Sequence, residues 1–77
     1  MPELGTMISG LMELATFRPA ASVRAAALHA LALLPGNVPW EALHPSKAGM
    51  CGLLRTALDD LKRPVRQQAA VTKLAWT

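Results

Sequence analysis

A single cysteine, Cys51, stands among 77 residues. That excludes an internal disulfide and any metal site built from several thiolates. Phe17, Trp40 and Trp76 are the only aromatic residues, and none is interleaved with basic residues as a single-strand nucleic-acid platform requires. No long hydrophobic run occurs: the longest nearly apolar stretch, Ala25 to Leu34, contains His29 and falls well short of the roughly 20 residues of a membrane span. Carboxylates are sparse. Glu3, Glu13 and Glu41 are scattered, so no pair suited to acid–base catalysis is visible. There is no glycine-rich phosphate loop; Gly49 and Gly52 fall inside a helical pattern, where they read as close-packing positions. His29 and His44 lie on different segments without a nucleophile or orienting acid. The chain is expected to be non-enzymatic, with no cofactor and no metal. Glu3 stands where a secretory signal would be basic, and a cytoplasmic and nuclear location is expected.

What is present is alanine and leucine. Hydrophobic residues make up 52% of the chain and few of them are β-branched, a mixture that favours helix over strand. At this length the chain is at most one small domain, of a size that is marginal without staples. Leu4, Met7, Ile8, Leu11, Leu14 and Ala15 share one side of a predicted helix over about 3–16, broken at Phe17-Arg18-Pro19. Gly5 and Gly10 weaken that helix or admit a close neighbour. A second helix opens near Ala20 or Ser22, carries Val23, Ala27, Ala30, Leu31 and Leu34 on one stripe, and is expected to end at Pro35-Gly36-Asn37. Val38 to Ser46 reads as a connector tucked in by Trp40 and Leu43, with at most a short helical turn. A third helix is predicted from about Ser46 to Asp60 on Met50, Cys51, Leu54, Ala57 and Leu58, with Cys51 expected as a buried structural thiol. The fourth begins near Arg63 or Pro64, with proline suited to its first turn. Val65, Ala69, Thr72 and Trp76 fall on one line, and Val71, Leu74 and Ala75 on another. So wide an apolar arc suggests two buried sides.

The chain echoes itself at a shift of 42 residues. Val23 falls on Val65, Arg24 on Arg66 and Ala27 on Ala69; in the preceding helices Leu11 falls on Leu53, Met12 on Leu54 and Ala15 on Ala57. That period lies in the HEAT/armadillo range of roughly 40–47 residues. The expected fold is therefore all-α, with HEAT/armadillo-like stacked antiparallel hairpins of about four helices. It forms a single unit over 1–77, with repeat one about 3–34, a connector 35–46 and repeat two about 46–77. Each hairpin of such a stack has outer faces suited to neighbours. The copies differ at their turns: Phe17 and Arg18 stand where the second has Asp59 and Asp60. Arg66 is thus predicted to pair with a turn aspartate, and Arg24, lacking one in its own repeat, to reach Asp59 or Asp60 of the next.

Charge is uneven. Residues 1–44 carry a net −1 and residues 45–77 a net +4, from Lys47, Arg55, Lys62, Arg63, Arg66 and Lys73 against Asp59 and Asp60. A basic end suits an acidic partner, nucleic acid or an anionic membrane; a solvated helical face is the plainer alternative. Lys62, Arg63, Lys73 and Trp76 are the candidate protein-binding residues, Trp76 being either core or interface anchor. Asp59, Asp60, Val65, Arg66, Ala69, Val23, Arg24 and Ala27 are the structural repeat positions.

From Leu43 onward the sequence LHPSKAGMCGLLRTALDDLKRPVRQQAAVTKLAW resembles the extreme C-terminus of the MMS-nineteen family, large HEAT-repeat proteins of cytosolic iron–sulfur assembly and DNA repair. The pattern there is a Leu, a Pro, a Lys, an aliphatic helix, then Leu-Asp-Asp-x-Lys-Arg-x-Val-Arg-x-x-Ala and a later Trp. Leu43, Pro45 and Lys47 fit its opening and Leu54 and Leu58 its helix. Asp59, Asp60, Lys62, Arg63, Val65, Arg66, Ala69 and Trp76 fit the remainder. Val23 to Leu28 fits the penultimate repeat. The family protein is many times longer, so this chain would match only its last repeats. The resemblance implies a scaffold that docks a MIP-eighteen-family subunit and a WD40-propeller subunit, in a complex handing iron–sulfur clusters to client proteins of DNA repair and replication. The alternatives are a HEAT-type adaptor of transport or chromosome organisation, and a basic helical module that binds nucleic acid. Self-association through exposed repeat faces is a further expectation.

Overall fold

The computed structural model describes residues 2–77, with side chains from Leu4 onward. It is all-α. The four long helices are α1 (Pro2–Leu14), α2 (Ala21–Asn37), α4 (Lys47–Ala57) and α5 (Arg63–Trp76). Between the second and third of these lie a four-residue helix, α3 (Trp40–Leu43), and a 3-10 turn over His44–Ser46. α1 pairs with α2 and α4 with α5, giving two hairpins, and the most extensive interface is that between α2 and α5. Contacts along it advance together, Leu28 with Thr72 and then Leu31 with Trp76, so α2 and α5 run in the same direction. The radius of gyration, 11.4 Å, matches the roughly 11.5 Å of a folded domain of this length. The two hairpins therefore close on each other instead of extending as a ribbon.

The core lies along that interface. Leu28, Leu31, Leu43, Val65, Ala69 and Thr72 are fully buried, joined by Ile8 and Met50. The line predicted on α5, Val65–Ala69–Thr72–Trp76, is buried along its whole length. Leu43 brings the connector into the core, and Trp40 meets Trp76 edge-on with ring centroids 6.4 Å apart. On the second predicted side of α5 only Ala75 packs against the core; Leu74 is 78% exposed and Val71 55%.

One feature of α2 differs from the sequence expectation. The helix does not stop at Pro35; it continues to Asn37. Gly36 does not take the left-handed conformation that would cap the helix there, since no described residue has positive φ. Instead the Asn37 side-chain amide donates to Leu33 O at 2.7 Å and Val38 N–H to Leu34 O at 2.9 Å, which closes the final turn. Proline inside a helix has no N–H for the carbonyl four residues back, here Leu31. That carbonyl is satisfied from α5, where the Trp76 indole N–H donates to Leu31 O at 2.7 Å. Beside it the Thr72 hydroxyl lies 2.8 Å from both Leu28 O and its own helix's Gln68 O. Its one proton serves either carbonyl, so a polar side chain is buried at no cost in unmade bonds. Trp76 thus belongs to the core, 4% exposed. Of the two readings of the sequence, core or interface anchor, the indole takes the first: it is committed to the acceptor that Pro35 leaves open.

Among the glycines, a Cβ at Gly49 would come within 2.9 Å of Met12 Cε, a close approach of α4 to α1; Gly5, Gly10 and Gly52 face open space. Cys51 is exposed, contrary to the buried thiol expected. Met50, Leu53, Leu54 and Ala57 take the inward positions of α4, and Cys51, turned away from them, lies on the face with no further helix layered over it.

Candidate protein-docking surface

Asp60 is the hub of the turn between α4 and α5. It closes the C-terminus of α4, its N–H donating to Ala57 O at 3.1 Å. Its carboxylate is 2% exposed and accepts a bidentate pair from Arg24, Nε at 2.9 Å and Nη2 at 3.1 Å. Lys62 N–H adds a bond at 2.9 Å and Arg18 Nη1 another at 3.3 Å. The Asp60 carbonyl accepts from Arg66 Nη1 at 2.7 Å. Arg24 is itself buried and spends its remaining reach on the other turn, donating from Nη1 to Phe17 O and Arg18 O at 3.0 and 2.7 Å. One guanidinium and one carboxylate therefore fasten both inter-helix turns together.

Planar fork-to-carboxylate pairing of this kind is strong and directional. Its effect is visible on Asp60. The Arg24 hydrogen bonds hold its carboxyl below the ordinary aspartate value; burial opposes them, while the Lys62 N–H and the charges of Arg24 and Arg18 add to them. Arg24 meets the partner in the other hairpin that the mismatch between the copies predicts. Arg66 differs from expectation. It bonds the aspartate's backbone carbonyl, not a carboxylate, because Arg24 and Arg18 already occupy the carboxylate oxygens. Asp59 points outward and is exposed; Val65, Ala69 and Ala27 are buried, and Val23 is half-buried.

The basic residues do not form one patch. Lys62 and Arg63 project from the turn, exposed, with Leu61 beside them at 83% exposure. Leu61 was not among the sequence candidates; an apolar residue between a pinned aspartate and two cations is the signal that marks it. Lys73 lies ten residues along α5 from Arg63, about 15 Å at helical rise. It lines a separate cleft of about 430 Å3 between α4 and α5, with Lys47, Met50, Cys51, Leu54, Arg55, Leu58, Trp76 and Thr77. Lys47 Nζ stands 5.2 Å from the Trp40 ring centroid, a cation–π contact at the end of that cleft. His29 and His44 are exposed on separate elements. Among the described residues no three His, Cys, Asp or Glu side chains come together as a metal site, and no helix is long and apolar enough to cross a membrane.

No protein-family model matches the chain, and neither a curated protein nor a solved structure matches it.

Proposed function

We propose that this chain is a non-catalytic protein-interaction scaffold of HEAT type, whose docking element is the turn Leu61–Lys62–Arg63. The observation that carries the reading is the Asp60 hub. Its carboxylate takes the backbone N–H of Lys62 and the guanidinium of Arg24 together, so the segment bearing the exposed residues is ordered before any partner arrives. Pre-ordering lowers the entropy lost on association. An exposed leucine flanked by two cations suits a partner surface with a small apolar pocket and carboxylates around it.

The resemblance of residues 43–76 to the MMS-nineteen C-terminus supports a particular system: the docking end of the cytosolic iron–sulfur targeting complex, acting in cytoplasm and nucleus. In that role Lys62 and Arg63 engage the MIP-eighteen-family subunit, the WD40-type subunit joins the assembly, and clusters pass to DNA repair and replication proteins with no cluster held by this chain. The test is isothermal calorimetry against the MIP-eighteen-family subunit with Lys62→Glu/Arg63→Glu. Two reversed rim charges are expected to weaken binding by about tenfold or more, with the helical circular dichroism spectrum unchanged. Equal affinity for the doubly reversed and unaltered chains rejects the assignment.

A further inference from the structure

The cleft between α4 and α5 is built of two parallel rows on α4 and its C-cap. Met50, Leu54 and the capping Leu58, four residues apart, make an apolar row; Lys47, Cys51 and Arg55, also four apart, make a second row beside it. From α5, Lys73, Trp76 and Thr77 form the opposite wall. The lining therefore has an apolar floor with cations on both sides and no Asp or Glu side chain. Among the described residues neither Lys47, Arg55 nor Lys73 takes part in a salt bridge, so none of the three is held by a direct ion pair.

We propose that this cleft is a docking site for an acidic amphipathic helix of a partner protein. Charge complementarity selects the occupant. The three cations are spread, not gathered: Lys47 and Arg55 stand eight residues apart on α4, about 12 Å along its axis, and Lys73 faces them from α5. A single anionic head group would meet one of them. A helix with carboxylates two turns apart on one flank and a further one on the other meets all three, while its apolar side chains lie over Leu58 and Cys51, above the buried Met50 and Leu54. This is helix-in-groove recognition with a cationic rim. A second copy of the chain lacks the complement: Glu3 and Glu13 are ten residues apart on α1 and Glu41 is alone on α3, so no helix carries acids in successive turns. The site is separate from the Lys62–Arg63 turn, and neither depends on the other.

The probe is a fluorescein-labelled synthetic helix with a leucine stripe flanked by glutamates, titrated with the full chain by fluorescence anisotropy. Two twins serve as controls: one with lysine for every glutamate, one with serine for every leucine. The Glu-flanked peptide is expected to bind, to weaken as salt rises, and to exceed both twins by about tenfold or more. Arg55→Glu/Lys73→Glu should abolish that advantage. Cys51→Trp, which adds bulk on the cleft wall, should block binding by a second route. Lys62→Glu/Arg63→Glu should leave it unchanged, and so separates this site from the turn. The inference is overturned by absence of binding, by equal binding of either twin, or by affinity that survives Arg55→Glu/Lys73→Glu. It is equally overturned if phosphatidylserine vesicles displace the peptide, which assigns the cleft to a lipid surface, or if sedimentation shows a dimer that Cys51→Trp dissociates, which assigns it to a second copy.

Discussion

The two Val-Arg-x-x-Ala copies occupy equivalent places in sequence and different places in energy. Arg24 is 3% exposed and bound on both sides, to a carboxylate in the other hairpin and to two carbonyls in its own turn. Arg66 is half-buried and makes one bond, to a carbonyl. Val65 is fully buried where Val23 is only partly covered. The cause is position in the stack. Arg24 points between the two hairpins, where the turn of each closes over it. α5 likewise packs on two helices, α2 and α4, but Arg66 stays half-exposed beside its own turn and reaches only the Asp60 carbonyl. A shared motif therefore specifies which way a residue points, and the neighbouring layer decides how much it is worth.

The largest test of that contrast removes half of the buried pair. Asp60→Leu leaves Arg24 charged and unpaired in the interior, and truncating one partner of such a pair costs about 3–5 kcal/mol. For a chain this small that approaches the whole folding free energy, so urea denaturation should show a largely unfolded protein. Arg24→Met/Asp60→Leu, which removes both charges, should recover most of the loss, since a well-packed apolar replacement of a buried pair is often neutral. If the double variant is no more stable than Asp60→Leu, the pair's worth lies in something other than unpaired charge.

Acid addresses the same pair without mutation. The Asp60 carboxyl titrates below its unfolded value, about 3.9, because the native state favours its ionised form. A depressed carboxylate contributes stability that is fully present above the unfolded value and lost as pH falls through the folded one. Urea midpoints should therefore hold steady from neutrality to about pH 5 and decline below about pH 4. In Arg24→Met/Asp60→Leu that decline should shrink. An equally steep decline in both proteins would move its origin to other carboxylates.

The other end of the α2–α5 interface is neutral, and its effect is smaller. Trp76→Phe keeps most of the ring but withdraws the N–H from Leu31 O, and a buried acceptor left unmade costs about 1–3 kcal/mol. The tie to Pro35 makes this specific. Pro35→Ala restores a backbone N–H within reach of Leu31 O, so the Trp76→Phe cost should fall toward zero in that background. Thermal or urea unfolding of the two single variants and the double gives the coupling directly. Additive costs would sever Trp76 from the proline.

This pairing also shows what a sequence reader can and cannot see. Helix positions, the α5 core line and the reach of Arg24 to the other hairpin were legible, because period, proline placement and an unmatched charge are local or repeat-level signals. The passage of α2 through Pro35 was not. Its support comes from Trp76, 41 positions away, and no local pattern carries a bond that long. Cys51 was misplaced for a related reason. Its apolar neighbours announce a core, but exposure on α4 is set by the absence of a further layer. The basic residues looked like one cluster on paper, and helical rise divides them into a turn and a cleft.

The smallest expected effect bears most directly on the two copies. Arg66→Ala removes one hydrogen bond to the Asp60 carbonyl from a half-exposed position. Water can reach a carbonyl at such a site, so the loss should be about 1 kcal/mol, the net value of an ordinary bond. Arg24→Ala at the matching position leaves the buried Asp60 carboxylate with only the Lys62 N–H and the Arg18 contact, and should cost about 3 kcal/mol. The measurement is the difference between two urea midpoints in one protein under one buffer, which cancels most extrapolation error. Equal losses would mean that the stack position of a repeat does not set the worth of its arginine. A gap of about 2 kcal/mol or more assigns the distinction to the two turns that close over Arg24.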